Sequence, residues 1–312
     1  MSNRDCVPTV YLSGGLGNQL FQIASGLQFK PKKIVINTSQ INGKFDLSVF
    51  LQFIAKKHSL QVVEESTSPS FLFVKAHNFV LRSTQWVGKS VAQNFMVKCL
   101  ARVIYCFCTL SPRGLYTNQL DFDKFLSKNS KFDVVGYFQS ETVAEVIRNE
   151  LRDYLDFHFR GHSDASEENL ENGLMLHIRR GDYVSENRIG MLSLDYFDNA
   201  LTEILENHSI SKLNFFSNGD LKPTVFNSTA TVQEISQPVT HSALELLAKM
   251  RSGRFFLISN STLSWWAAYL NTNSEKQVFA PIPWFRTLPE PVNLIPKGWI
   301  RLPAIWSQGN ES

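Results

Sequence analysis

The chain has 312 residues, 43% hydrophobic and 19% charged, with a formal net charge of +3. That length exceeds what one hydrophobic core usually serves and suits two domains. The charge is too small to argue for nucleic acid as a partner. Four cysteines (Cys6, Cys99, Cys106 and Cys108) show no CxxC spacing, so the paired-cysteine half of a metal-finger pattern is absent. A reduced, cytoplasmic compartment is the simplest setting. The N-terminus has no basic region followed by a long apolar one, so no secretory signal is expected and the triplets at Asn207, Asn227 and Asn260 carry no weight as glycosylation sites.

In chain order, residues 7–13 alternate and are β-branched, which predicts a first strand; a glycine-rich turn follows, then apolar residues at helical spacing over 18–29. KIVIN (33–37) predicts a second strand, and 40–130 read as mostly helical or irregular, with a loop at 65–70. Within that stretch, 91–110 is too interrupted by Gln93, Asn94, Lys98 and Arg102 to span a membrane. Lys98 and Arg102 share one helix face, which fits either a half-buried helix or a basic amphipathic helix resting on an anionic bilayer. A short strand is predicted over 134–138, and Ser140 opens a helix with Val143, Ile147, Leu151 and Tyr154 on one face.

The polar, acidic stretch 161–172 is the best linker, dividing the chain into domains 1–165 and 166–312. Beyond it come strand 174–178, helix 194–206, strand 213–217, helix 243–250, strand 255–259, helix 262–270 and strand 277–280. This alternation predicts a parallel sheet with helices on both faces, and for the whole chain an α/β pair of Rossmann-like halves around a cleft.

Three stretches carry chemistry. In SGGLGNQLF (13–21) the third glycine of a dinucleotide fingerprint is absent, no GK[ST] follows, and KIVIN ends in Asn37 instead of an acid. What remains is either a tight turn that lets a ligand approach the backbone, with Asn18 and Gln19 at a helix start, or a plain strand–helix turn. In MLHIRRGDY (175–183) strand alternation puts His177 and Arg179 on one face and Ile178 on the other. An arginine fork holds a diphosphate bidentately and stays charged at any working pH, and Gly181 lets the chain turn closely past a ligand. The charges also fit a buried strand simply reaching the surface, and the tripeptide at 180–182 matches a cell-adhesion motif too short to mean much.

In SNSTLSWWAAYL (259–270) the hydroxyls of Ser261 and Thr262 and the free N–H groups of a helix start make an anion site, or an N-cap before a core helix. The only Asp-x-Asp, Asp121 and Asp123, follows TNQL instead of a β-branched strand, so no metal–diphosphate role and no metal are expected. Together the three stretches suggest a nucleotide diphosphate held by arginine and helix dipoles.

GGLGNQLFQ, GYFQSE, HIRRGDYV and SNSTLSWWAAYL, in this order and spacing, resemble glycosyltransferase family 11, whose members are mostly α-1,2-fucosyltransferases; the resemblance runs from 11 to 284. It implies a GT-B fold, GDP-β-L-fucose as donor, an inverting reaction and no metal or other cofactor. It also implies that Arg179 and Arg180 grip the donor diphosphate, that His177 helps hold the nucleotide, and that Ser261 and Thr262 cap the phosphates. Asn18 and Gln19 would contact the donor from the N-terminal, acceptor-side domain. The chain departs from the pattern at Phe216-Ser217-Asn218-Gly219-Asp220, where the family often has two aspartates after the serine, and in HSALELLAKMRSGRF, which lacks the usual acidic and cysteine positions.

The chemistry expected is attack by an acceptor hydroxyl, O2 of a galactose on an oligosaccharide or lipid-linked glycan, on the anomeric carbon of fucose. Arg179 would stabilise the leaving diphosphate. Asp182 is the first candidate for the base that takes the acceptor proton and Glu186 the second; Asp182 fits equally a structural role in orienting Arg179. Two other readings stand: a GT-B enzyme using another nucleotide sugar, and a non-catalytic carbohydrate-binding protein, to which a diphosphate clamp would be useless. By family analogy the setting is cytoplasmic, with peripheral association at the inner face of the membrane.

Overall fold

The computed structural model describes residues 6–41, 46–67, 114–116, 131–159, 172–184, 186–218, 221–226, 232, 234–237, 240–291 and 293–308. The stretches 91–110 and 161–171, and Asp121 and Asp123, lie outside them. The chain forms two compact units, Met1–Leu151 and Arg152–Ser312. The acidic stretch had suggested a boundary at 165/166; the units part instead at 151/152, inside a helix.

The first unit is built on a parallel sheet of β1 (Val7–Tyr11), β2 (Lys33–Asn37), β3 (Gln61–Glu65), β4 (Gly114–Tyr116) and β5 (Lys131–Val134), in the order β3-β2-β1-β5-β4. Its helices are α1 (Leu16–Leu27), α2 (Ser48–His58) and α3 (Glu141–Ala144), and α4 (Arg148–His158) runs across the boundary. Three differences from the sequence reading have physical causes. β3 and β4 fall where helix or irregular chain was expected: both lie outermost in the sheet, where short strands need no apolar alternation. The strand expected over 134–138 ends at Val134, because Gly136 and Phe138 take positive φ values of 152° and 52° that no strand tolerates. The single helix from Ser140 is two, with a turn between Ala144 and Arg148, although Ile147, Leu151 and Tyr154 are buried as expected.

The second unit repeats the plan with β6 (Gly173–Ile178), α5 (Leu194–Asn207), β7 (Lys212–Ser217), β8 (Glu234–Ser236), α6 (Ala243–Met250), β9 (Phe255–Ile258), α7 (Thr262–Leu270), β10 (Gln277–Ile282) and β11 (Ile300–Pro303). All six strands are parallel, in the order β11-β10-β9-β6-β7-β8. β8 and β11, unexpected from sequence, are again the two edges. Central β6 is buried at every position, as a parallel strand covered on both faces must be. Leu174, Leu176 and Ile178 join Phe197, Leu201, Ile204, Leu213 and Phe215 in the core beside α5. Strand alternation therefore turns His177 and Arg179 toward the opposite face. Trp265 and Trp266 of α7 are fully buried, with Trp265 stacked on Tyr269 at 4.6 Å; burial of each indole is worth about 4–6 kcal/mol as an upper bound. That packing anchors α7, and so fixes where its N-terminus points.

Two parallel α/β units, each wound in both directions from a central strand, are what the resemblance to GT-B enzymes implied.

Candidate functional site

In the second sheet the strand order reverses between β6 and β9: β7 and β8 lie on one side, β10 and β11 on the other. Open α/β sheets take ligands at such a switch point, beyond the carboxyl ends of the strands. The residues reaching that edge are Arg179 and Arg180 after β6, Asn218 after β7, and Ser259, Asn260 and Ser261 after β9. The sequence reading singled out both flanks, and the sheet brings them together.

Beyond β6 the chain enters a 3₁₀ turn, Gly181–Val184. Gly181 sits at φ 50°, which favours glycine, and a Cβ there would press on the Asn218 carboxamide and force it to shift. Asn218 Oδ1 accepts the Arg180 N–H at 2.7 Å. The Arg179 guanidinium lies over the Tyr183 ring, 5.4 Å from its centroid, a cation–π contact that limits where the fork points. The Tyr183 hydroxyl donates to the Asn260 carbonyl at 3.3 Å, linking the β6 turn to the β9 loop.

The β9 flank ends in α7, whose N-cap is Ser261. The Ser261 side chain makes no capping hydrogen bond, whereas Ser193 of α5 and Ser242 of α6 each accept a backbone N–H of their own helix. Neither the Ser261 nor the Thr262 hydroxyl has a partner among the described residues. The first-turn N–H groups of α7 and these two hydroxyls are thus uncommitted, and a helix start in that state favours an anion through both its donors and its dipole. Asn260, 1% exposed, donates through Nδ2 to the carbonyls of Ile189 (3.3 Å) and Gly190 (2.9 Å). Its Oδ1 is buried without a partner among the described residues.

His177 shares a face with Arg179 but is buried where Arg179 is partly exposed. It is 2% exposed and shares a hydrogen bond with the Ser259 hydroxyl through Nδ1 at 3.2 Å. Burial lowers its pKa from 6.5 to about 3, with the Arg179 charge contributing, so the ring is neutral at any working pH. This geometry makes it a support beneath the β9 loop. Asp182 follows the arginines within the 3₁₀ turn, and Glu186 is exposed in the next turn, where its carbonyl accepts the N–H groups of Ile189 and Gly190. A polar recess lined by Leu205, Glu206, Asn207, His208, Ser209 and Ile210 lies at the opposite edge of the sheet, where β7 begins, away from this chemistry.

The first unit has its own switch point between β1 and β5, and the GGLGNQ turn occupies it. Gly14 takes φ 73°, and Gly15 caps α1 without a side-chain bond. Gln19 is turned inward, donating to the Gly14 carbonyl at 2.8 Å. Asn18 is half-buried and its Oδ1 accepts from Gln139 Nε2 at 3.0 Å. Gln22, 1% exposed, binds both Ser13 and the Gly136 carbonyl, tying the ends of β1 and β5.

Tyr183, Asn218, Asn260, Gln22 and Gln139 have no role legible in the sequence. Four of them lie inside the motifs and Asn218 at a departure from the family pattern, but their hydrogen bonds join residues distant in the chain and leave no local signal.

The sequence profile of Glycosyl transferase family 11 matches residues 7–284. The chain is 27% identical to the O-antigen biosynthesis glycosyltransferase WbnK of Escherichia coli, over 88% of this chain and 93% of that protein. It is 23% identical to an alpha-1,2-colitosyltransferase of Escherichia coli, over 93% and 97% respectively. A crystal structure of POFUT1 in complex with GDP-fucose is similar at 11% identity and a TM-score of 0.44, covering 86% of this chain and 94% of that one. With its motifs in order along a match that spans both units, the chain belongs to glycosyl transferase family 11.

Proposed function

We propose that this glycosyltransferase is an inverting α-1,2-fucosyltransferase, moving L-fucose from GDP-β-L-fucose to O2 of a terminal galactose. The observation that carries the donor half is the meeting, at one switch point, of the Arg179–Arg180 turn with an α7 N-terminus whose N–H groups and hydroxyls are uncommitted. That arrangement suits a diphosphate better than a neutral glycan, which argues against a carbohydrate-binding protein without activity.

In the reaction the acceptor O2 lone pair attacks C1 of fucose as the bond from C1 to the β-phosphate oxygen breaks. The configuration inverts from β to α, and GDP leaves with the electron pair. Negative charge grows on that phosphate, where Arg179 and the α7 dipole stabilise it more than in the ground state. The acceptor proton passes to a carboxylate, Asp182 in our assignment, with Glu186 as the alternative. The positive field of arginine and helix does the work a metal does elsewhere, so no metal is required. Ser261 and Thr262 cap the phosphates; His177 supports Ser259 and so acts on the nucleotide indirectly. Within the first unit the Asn18 carboxamide is oriented by Gln139, while Gln19 shapes the Gly14 turn.

A second donor is favoured by the colitosyl-transferring relative: colitose lacks one ring hydroxyl of fucose. A site that hydrogen-bonds that hydroxyl would reject the deoxy sugar by about 10⁴-fold or more, so comparing kcat/KM for GDP-fucose and GDP-colitose decides between them. Among the described residues no helix is long and apolar enough to cross a membrane. We place the enzyme in the cytoplasm, peripheral to the inner face of the membrane, acting on a galactose-bearing oligosaccharide or lipid-linked glycan. An acceptor array with GDP-fucose, followed by linkage analysis, tests the whole assignment; a product linked elsewhere than O2 of galactose overturns the acceptor half.

A further inference from the structure

We propose that Asn218 and Asn260 are positioning residues that hold the Arg179–Arg180 turn ready for the donor diphosphate, Asn218 acting as hydrogen-bond acceptor and Asn260 as donor. The inference rests on the diphosphate assignment above and adds how the arginines are held. Arg179 and Arg180 lie on irregular chain just beyond β6, and a turn free to move would have to be ordered at each binding event. Two carboxamides from neighbouring strand ends hold it instead. From β7, Asn218 Oδ1 takes the Arg180 N–H at 2.7 Å, and its side chain fills the space a Cβ on Gly181 would need. From β9, Asn260 Nδ2 spans the carbonyls of Ile189 and Gly190, and its own carbonyl receives the Tyr183 hydroxyl. Tyr183 in turn lies beneath the Arg179 guanidinium. The turn is thereby fixed at Arg180, at Tyr183 and at Gly190.

The two carboxamides have opposite polarity, because a carbonyl accepts and an N–H donates. One nearly isosteric change therefore has opposite consequences at the two positions. Asn218→Asp keeps an acceptor for the Arg180 N–H. Asn260→Asp loses both donated bonds and places a carboxylate against two carbonyl oxygens.

Calorimetric titration of wild type and variants with GDP, and separately with GMP, reads the effect. Asn218→Asp should bind GDP within about threefold of wild type, while Asn218→Leu weakens it by about three- to tenfold and Asn260→Asp by about tenfold or more. Tyr183→Phe, which keeps the ring but not the hydroxyl, should weaken GDP by about threefold. In each weakened variant GMP should suffer less, since the contact degraded is the one to the second phosphate. A residue that merely supports the fold would lower the melting temperature and leave the GDP-to-GMP affinity ratio unchanged; that result overturns the proposal. So does an equal effect of aspartate at the two positions. If Asn260→Asp does not fold, Asn218→Leu and Tyr183→Phe decide, and normal GDP binding in both refutes it. Failure of the wild type to bind GDP would remove the donor assignment itself, an outcome distinct from wild-type binding with unaffected variants.

Discussion

Replacing His177 by asparagine isolates the proton linkage of the buried imidazole beneath the β9 loop. The pKa of this group is lowered on folding, from 6.5 to about 3. Between those values the unfolded chain holds a proton that the native state refuses, so stability rises with pH there. The contribution is fully present above 6.5 and is lost as pH falls toward about 3. Over the interval from about pH 7.5 to about pH 4.5 the loss attributable to His177 is about 2–3 kcal/mol. Asparagine has an amide group able to face Ser259 as Nδ1 does, and it does not titrate; the cavity it leaves costs the same at every pH and cancels from the difference. Five of the six tryptophans lie in the second unit, so urea unfolding followed by tryptophan fluorescence reports mainly on that unit. The wild-type curve should fall more steeply with acid than that of the variant by this amount. Parallel pH dependence in the two proteins would mean that His177 is solvated or already protonated, and the buried, neutral role would be wrong.

Arg179→Ala should lower fucosyl transfer by about 10²–10³-fold, the cost of losing one stabiliser of transition-state charge. Arg179→Lys should recover little, because an ammonium cannot reproduce the fork; a lysine variant above half of wild-type turnover would contradict a bidentate grip. Asp182→Asn should cut transfer by about 10²–10⁴-fold with GDP affinity nearly unchanged if the carboxylate is the base. GDP affinity and transfer falling together would make Asp182 a support for Arg179, and a severe loss in Glu186→Gln with an active Asp182→Asn would move the base to Glu186. Treatment with EDTA should leave turnover intact; complete loss restored by magnesium or manganese would bring Asp121 and Asp123 back into consideration.

Local pattern was enough for the second unit's framework. Helices Ala243–Met250 and Thr262–Leu270 fall where apolar spacing puts them, and β6, β7 and β9 lie within a residue of expectation, because apolar periodicity and continuous apolar runs are written in neighbouring residues. The same pattern indicated that Arg179 and the Ser261–Thr262 helix start were chemically pointed, and the motifs in order indicated the family. Edge strands such as Glu234–Ser236 and Ile300–Pro303 were not legible, since only the neighbouring strand's hydrogen bonds make so short a segment a strand. The motifs suggested that the stretches act together, but not how the sheet joins them. That β9 lies against β6, bringing Ser261 beside Arg179 across about eighty intervening residues, depends on sheet order, which no local window encodes. Burial was decided the same way: alternation put His177 and Arg179 on one face, but only tertiary packing buried the first and holds it neutral. It was also contact between strand ends that gave Asn218 and Asn260 their opposite hydrogen-bonding roles.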